Sequence, residues 1–209
     1  MPGTMTQPPI EPNNRRTSDV LRGFLDAHAG PRVSLGELRD ALRDRAFGVL
    51  LVAFALPNLV LVGLPGMSSI LGIPLVLLSG QIAYGRRTAW LPQWLAARSF
   101  ARDDFAAVLR RGLPYLERAE RLLRPRLSGL LSPGGERIVG VACLALSILM
   151  AFPIPMGNWP PALVLCLIGL AIVEKDGVAA VLGLLLGVAS FALVGGILLG
   201  FAKALFLFF

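Results

Sequence analysis

Residues 64–92 read LPGMSSILGIPLVLLSGQIAYGRRTAWLP, and this stretch decides the predicted fold. An apolar run leads into a Pro-Gly turn with small polar residues, a second apolar run follows, and two arginines close it. Shifting the chain by 89 residues places Met67 on Met156 and Gly80 on Gly169, within a similar order of segments. An internal repeat of proline-interrupted apolar segments is typical of membrane proteins, and often of transporters.

The composition also indicates a membrane protein. The 209 residues are 55% hydrophobic and 16% charged, and a soluble domain of this size needs more polar surface. Almost all of the net charge of +7 lies in residues 86–137, which hold eleven Arg and five acids. Arginine excess marks cytoplasmic segments and favours anionic lipid head groups, so we expect a cytoplasmic N-terminus and no nucleic-acid partner.

We predict an all-α polytopic membrane protein that contains two repeats of short helix pairs broken by Pro and Gly. Amphipathic interfacial helices are expected at the N-terminus and in the centre, and a long or broken apolar helix at the end. The predicted segments are a disordered tail (1–16), amphipathic cytoplasmic helices (17–45), membrane repeat 1 (46–92), Arg-rich interfacial helices (93–137), membrane repeat 2 (138–177) and the final helix (178–209).

The length of the apolar runs leaves their course through the bilayer open. Residues 46–64 and 70–85 span roughly 24–28 Å each as helices, against a hydrocarbon core of about 30 Å. They are either short spans or the two arms of a re-entrant hairpin. Residues 178–209 would form a helix of about 48 Å, which must tilt, overhang the bilayer or break at Gly195-Gly196.

Two segments are amphipathic. Ser34 and Glu37 form a capping box that predicts a short helix with Leu35, Leu38 and Leu42 on one side. Residues 100–131 keep apolar helical spacing with arginines on the other face, and Pro114 is expected in a first turn. This segment is too charged to span a bilayer, so we expect it to lie at the cytoplasmic interface. The arginines expected to contact anionic lipid or a partner are Arg86, Arg87, Arg110, Arg111, Arg118 and Arg121.

Candidate binding residues are the polar side chains near the two repeat turns and the acids at the membrane edge. Broken helices expose amides and carbonyls that coordinate ions or phosphate groups. The alternative is that each polar group satisfies backbone freed by a nearby proline, and that the acids form a polar turn. The candidates are Asn58, Ser68, Ser69, Gln81, Asn158, Trp159, Glu174 and Asp176.

Enzymatic motifs are absent from the sequence. We find no nucleophile elbow, phosphate loop or paired intramembrane acids, and His28 is the only histidine. His28 is expected to pack on an amphipathic face, and Cys143 and Cys166 are expected to be inert apolar residues. We therefore expect no catalysis, no metal and no cofactor.

The motifs LPG, G-x-P, Q-x-x-x-GRR and W-L-P, together with FPIPMGNWPPALVLCLIGLAIVEKDG, resemble the ExoD-type exopolysaccharide-synthesis family over residues 18–205. The resemblance implies a multi-pass protein of the bacterial inner membrane that acts in polysaccharide synthesis or export. One hypothesis is a small transporter or flippase-like protein, in which the glycines of the last helix would allow close packing against a second copy in a homodimer. The other is a non-transporting scaffold or regulator that binds polysaccharide-synthesis proteins, and a lipid-phosphate enzyme is the weakest option.

Overall fold

A computed structural model describes residues 16–60, 67–151 and 157–208. The fold within these ranges is almost entirely helical, with one short pair of strands. The elements in chain order are α1 (Thr17–Ala27), β1 (Arg32–Ser34), α2 (Leu35–Leu42), α3 (Ala46–Val60), α4 (Met67–Tyr84), α5 (Gln93–Ala96), β2 (Ser99–Ala101), α6 (Arg102–Leu122), α7 (Pro133–Ala151), α8 (Trp159–Glu174) and α9 (Gly177–Phe208), with single 3-10 turns at Arg43–Arg45 and Ser128–Leu131.

The apolar helices form an antiparallel bundle in which α3 packs on α8 and α4 packs on α7. Glycines set these contacts. Gly48 near the start of α3 lies against the backbone of Gly169 in α8, and Gly140 near the start of α7 lies against the backbone of Ala83 in α4. A Cβ at either glycine would collide with the facing helix, so the two backbones approach more closely than side chains allow. As a result one end of the bundle contains the starts of α3 and α7 and the ends of α4 and α8. We call it the charged end.

The helices α4 and α8 end in the same way. Gly85 and Lys175 both have a positive φ, of 85° and 52°. The next N–H in each case, of Arg86 and Asp176, donates back five residues to the carbonyls of Gln81 and Ala171 at 3.0 Å. This bond is the signature of a Schellman motif, which satisfies carbonyls that a helix end otherwise leaves free.

The final helix α9 is continuous over its 32 residues, including Gly195-Gly196. The sequence left a break at these glycines open, and the structure shows none. The helix packs antiparallel on α8, with Gly183 against Ile168 and Gly187 near Val164, while an added Cβ at Gly195 would meet nothing within 4 Å. Among the described residues two helices are long and apolar enough to cross a bilayer, at Gly134–Ala151 and Gly177–Gly200.

The N-terminal and central segments pack on each other at the charged end. Strand β1 pairs antiparallel with β2, which places Val33 opposite Phe100, and Val33 is 1% exposed. The Phe24 ring of α1 meets the Phe105 ring of α6 edge-on at 6.4 Å between centroids. The apolar face of α6 is thus partly covered by protein. The location of this segment at the membrane interface stays a prediction. The strand pair was not predicted, because three-residue strands carry too little periodicity to be recognised.

Local details of these segments were partly predicted. The capping box of Ser34 and Glu37 is confirmed at the start of α2. The expectation for Pro114 was wrong, since this proline lies inside α6 rather than in a first turn. Helix α6 ends at Leu122, and Pro125 lies in the loop that follows it.

Candidate functional site

Three buried polar side chains lie at the end of the bundle opposite the charged end. Asn58 of α3, Asn158 at the N-terminus of α8 and Ser190 of α9 are 4%, 9% and 3% exposed. The Asn58 amide nitrogen donates to the Phe54 carbonyl at 3.0 Å, and that of Asn158 donates to the Met150 carbonyl at 3.4 Å. Each of the three has an oxygen, Oδ1 or Oγ, that finds no hydrogen-bond partner within the part of the chain that the structure describes.

The register of the helices places these three residues at one level. Asn58 lies ten residues beyond Gly48 in α3, and Asn158 lies eleven residues before Gly169, which faces Gly48. Both are therefore about 15–17 Å along the helix axes from that contact. Ser190 lies three residues beyond Gly187, which packs near Val164. Measured along the helix axis, Ser190 is therefore within about one helical turn of the height of Asn158.

An unpaired buried oxygen is costly. Leaving one buried acceptor without a donor costs about 1–3 kcal/mol, and native proteins satisfy the large majority of such groups. The three oxygens lie at a similar height along the bundle, and each is an acceptor that a hydrogen-bond donor or a cation would stabilise. We call Asn58, Asn158 and Ser190 the polar level.

Asn58 and Asn158 were predicted as candidates, and Ser190 was not. Its signal in the sequence is a single serine within the apolar run of α9, which is easily taken for a tolerated helix residue. A second pair of buried serines also escaped prediction. Ser79 of α4 and Ser147 of α7 are joined Oγ to Oγ at 3.1 Å, and the Ser147 hydroxyl donates to the Cys143 carbonyl at 2.7 Å. Their hydroxyls are satisfied, so they contribute to packing between α4 and α7.

The other candidates near the turns are placed differently. Ser68 and Ser69 lie in the first turn of α4, and the contacts of their side chains lie outside the described residues. Trp159 opens α8 and is 51% exposed. Gln81 lies near the charged end, where its amide nitrogen donates to the Trp90 carbonyl at 2.8 Å and its oxygen accepts from the Trp90 N–H at 2.7 Å. Its carboxamide is therefore occupied in holding the loop after α4.

The predicted acids lie at the charged end, about 24 Å from the polar level along α8. Asp176 caps α9, since its Oδ1 accepts from the N–H groups of Val178 and Ala179 at 3.0 and 3.2 Å. Its Oδ2 accepts from the Arg124 N–H at 3.1 Å. Glu174 is half-buried at the end of α8. The structure thus divides the predicted site residues between the two ends of the bundle.

A buried carboxylate that the sequence did not reveal joins the N-terminus to α6. Glu120 is 9% exposed and accepts from the Ser18 N–H at 2.8 Å and from the Ser18 hydroxyl at 2.7 Å. Beside it, Arg45 donates to the Thr17 hydroxyl at 3.1 Å. These bonds attach the start of α1 both to α6 and to the start of α3. The partners are too distant in sequence for local patterns to indicate the contact.

The remaining predicted residues are basic and exposed, and they lie outside the polar level. No group of three or more His, Cys, Asp or Glu side chains able to hold a metal occurs within residues 16–60, 67–151 and 157–208. The exposed arginines are Arg86 and Arg87 after α4 and Arg110, Arg111, Arg118 and Arg121 on α6.

The fold and the polar level define a class: an apolar helical bundle with a buried polar layer at one end and a charged cap at the other. Comparison with known proteins narrows this class. The family model described as "Exopolysaccharide synthesis, ExoD" matches residues 17–196, and the chain belongs to that family.

Two relatives cover most of the chain. Protein ExoD of Rhizobium meliloti (strain 1021) is 31% identical over 191 residues, which cover 88% of this chain and 79% of the relative. An uncharacterized protein of Synechocystis sp. (strain ATCC 27184 / PCC 6803 / Kazusa) is 27% identical over 175 residues, which cover 83% of this chain and 82% of the relative. No solved structure gives a significant match.

Proposed function

We propose that this chain is an integral protein of the bacterial inner membrane that transports a polar or lipid-linked substrate in exopolysaccharide synthesis, with its site at the polar level. The single observation that carries the proposal is the set of unpaired buried oxygens on Asn58, Asn158 and Ser190. The family supplies the pathway, because the matching family is described by exopolysaccharide synthesis. No step of the proposal requires a catalytic residue, a metal or a cofactor.

The surface of α9 supports membrane integration. Its segment Gly177–Gly200 has a mean hydropathy of 2.4, and only 22% of this apolar stretch is buried within the protein. Large apolar side chains along it are exposed, including Leu185 at 64% and Val188 at 71%. A monomer in water rarely exposes a continuous apolar surface of this kind, whereas a bilayer solvates it. The apolar α3, α4, α7 and α8 would lie in the same bilayer.

The bundle supports a duplicated unit. Helix α3 packs on α8, and helix α7 packs on α4. This pairing is the one expected if α3–α4 and α7–α8 are two copies of one unit. The Schellman bonds of α4 and α8 repeat with a shift of 90 residues, from Arg86 and Gln81 to Asp176 and Ala171. Both units would enter the membrane from the charged end with the same orientation. The turns between their helices, residues 61–66 and 152–156, lie outside the described residues, so re-entrant hairpins stay a prediction.

The chemistry of the polar level suggests its ligand. The unpaired atoms are carbonyl or hydroxyl oxygens, and they accept hydrogen bonds or coordinate a cation. A sugar hydroxyl, an ammonium group or a monovalent cation would satisfy them. Glu174 and Asp176 lie too far away to take part in the same contact.

A scaffold is the second candidate function. It is favoured by the exposed arginines Arg110, Arg111, Arg118 and Arg121, which form a basic face on α6 beyond the bundle. Such a face would bind anionic lipid or an acidic surface of a polysaccharide-synthesis protein.

The test replaces the two asparagines by a residue of similar shape without polar atoms. Asn58→Leu and Asn158→Leu, singly and together, are expressed in an exopolysaccharide-producing bacterium that lacks its own copy of the protein. We expect exopolysaccharide output to fall while the protein level and the thermal midpoint in detergent stay close to those of the parent. Each leucine removes one unsatisfied oxygen together with one amide hydrogen bond, and these two effects on stability oppose each other. Ser79→Ala is the matched control, since it removes a satisfied hydroxyl and leaves Ser147 bonded to Cys143.

A second measurement separates the two functions. In a Cys143→Ala, Cys166→Ala background, a cysteine at position 158 should react with a small membrane-impermeant thiol reagent, and a cysteine at position 79 should not. Unchanged polysaccharide output in the double leucine variant, or an unreactive position 158, refutes the transport proposal. A loss of output on changing the four arginines of α6 to Gln, with the leucine variants fully active, establishes the scaffold instead.

A further inference from the structure

The charged end carries an open groove of about 520 Å³ between α2, the turn that follows it and the loop after α4. This volume lies in the range of small-molecule sites. The groove is separate from the polar level, which lies at the other end of the bundle. We call it the arginine groove, and the side chains that the argument uses are those of Arg39, Asp40, Arg43, Asp44, Arg86, Thr88 and Trp90.

Both walls of the arginine groove are held in place. The α2 wall begins with the capping box and is anchored by Leu38 and Leu42, which are 6% and 3% exposed. The loop wall is held by the two hydrogen bonds between Gln81 and the Trp90 backbone. Ala89, beside Trp90, is 4% exposed and anchors the loop from below. The groove is therefore preformed, and binding would not need to order either wall.

The guanidinium groups in the groove are not all neutralised. Arg39 pairs with Asp40 at 2.6 Å, whereas Arg43 and Arg86 form no ion pair among the described residues. Arg43 also has φ 48° and ψ −116°, a backbone conformation that side-chain-bearing residues rarely adopt. Such conformations are found more often at ligand sites, and Arg43, which adopts one here, lines the groove with an unpaired guanidinium.

The remaining groups suit a sugar. The Asp44 carboxylate and the Thr88 hydroxyl line the same groove and can bond hydroxyl groups. The Trp90 ring is 51% exposed and offers a flat apolar surface. The carboxylates of Asp40 and Asp44 lie beside the arginines and would repel a bare anion. The combination suits a ligand that carries a phosphate at one end, for the arginines, and hydroxyls at the other, for a carboxylate.

We infer that the arginine groove binds a sugar phosphate, with Arg43 and Arg86 on the phosphate and with Asp44, Thr88 and the Trp90 ring on the sugar. Guanidinium groups bind phosphate oxygens in pairs of parallel hydrogen bonds, which suits the two unpaired arginines. The inference rests on the proposed function in one respect, since it names the phosphorylated sugar as the head group of the transported substrate. The same chemistry occurs in a soluble sugar phosphate and in a lipid-linked one.

The test uses the full chain with Trp94→Phe and Trp159→Phe, so that Trp90 is the only tryptophan. Its fluorescence is titrated with glucose 1-phosphate, with glucose and with inorganic phosphate in detergent. It is then measured in phosphatidylcholine nanodiscs with and without a polyprenyl-phosphate-linked glucose. We expect saturable quenching by a sugar phosphate, and Arg43→Gln or Arg86→Gln should weaken binding by roughly tenfold or more. Arg110→Gln is the control of equal charge change and should bind as the parent does.

Quenching by glucose 1-phosphate assigns the site to a soluble ligand, and quenching by the polyprenyl-linked glucose alone assigns it to a lipid head group. Either result supports the inference. It is overturned if neither probe binds, if inorganic phosphate binds as tightly as glucose 1-phosphate, or if the control loses as much affinity as Arg43→Gln. Binding is measured at equilibrium without transport and should be unchanged by Asn58→Leu. A failed transport test with intact binding therefore refutes only the proposed function, and lost binding with an intact transport test refutes only this inference.

Discussion

Gly140→Ala is the substitution whose effect follows most directly from the packing of the bundle. A Cβ at position 140 would lie 2.6 Å from the Ile82 carbonyl carbon and 2.8 Å from the Ala83 Cα, and closer still to the Ala83 nitrogen. All three are backbone atoms of α4, so no side chain can rotate away. Helices α4 and α7 would have to separate by about 1 Å to restore ordinary contact distances.

The expected change in the free energy of unfolding combines two opposing effects. Overpacking of a rigid contact costs about 1–3 kcal/mol, and the upper end applies because backbone must move. Alanine regains about 1 kcal/mol of helix propensity over glycine. The expected net loss is about 2 kcal/mol, which lowers the thermal midpoint of a chain of this size by about 4–8 °C.

The assay is thermal unfolding of the purified chain in a mild detergent, followed by circular dichroism. The matched control is Gly195→Ala in α9, where an added Cβ meets nothing within 4 Å. That variant should gain up to about 1 kcal/mol from propensity alone. If Gly140→Ala is as stable as the parent, or gains as much as Gly195→Ala, the close backbone contact of α4 and α7 does not exist.

Three further predictions concern single hydrogen-bonded groups. Asp176→Ala should lower the free energy of unfolding by about 1 kcal/mol, while Asp176→Asn retains most of it because Asn caps helices equally well; thermal unfolding compares the two. The backbone N–H and hydroxyl of Ser34 hold the pKa of Glu37 below its ordinary value of 4.5. The cap therefore stabilises α2 fully at a pH above 4.5, and this stabilisation is lost as the pH falls through the lower pKa that Glu37 has in the folded protein. Amide exchange in α2, corrected for intrinsic rates, should accelerate on acidification, and less so in Glu37→Gln. Finally, Gln81→Leu removes the acceptor of the Trp90 N–H, whose exchange should become about tenfold faster.

Each of these predictions has a clear opposite result. Equal losses in Asp176→Ala and Asp176→Asn would mean that charge rather than capping stabilises α9. An acid response of α2 that is the same in Glu37→Gln and the parent would exclude the capping box as its cause. Unchanged protection of the Trp90 amide in Gln81→Leu would show that other contacts hold the loop.

Local features of the sequence predicted the elements well where the signal lies within one segment. The capping box of Ser34 and Glu37 was read correctly because both partners lie within one helical turn. The apolar runs predicted the helices of the bundle, and the alternation of Arg and apolar residues predicted the exposed face of α6. Pro114 was misplaced because the N-terminal end of α6 is set by β2 and its pairing with β1, which local periodicity does not contain.

The polar level also combines a part that the sequence shows locally with a part that depends on helix packing. Asn58 and Asn158 were recognised because an amide near a proline in an apolar stretch is conspicuous, yet nothing local shows that their oxygens are buried and unpaired. Ser190 joins them only because α9 packs on α8 in the register set by Gly183 and Gly187. The arginine groove likewise joins residues from α2 and from the loop after α4, which are more than forty positions apart.

By itself the sequence determined the composition of the bundle: which segments are apolar helices, where basic residues concentrate, and which family the chain resembles. The tertiary structure decided which helices pair, which polar groups are buried, and that Glu120 reaches Ser18 across 102 residues. The physical reason is that helix formation follows from periodicity within a few turns, whereas helix pairing depends on the fit between surfaces far apart in the chain. Gly48 and Gly140 mark that fit, since each matters only through the backbone that lies opposite it.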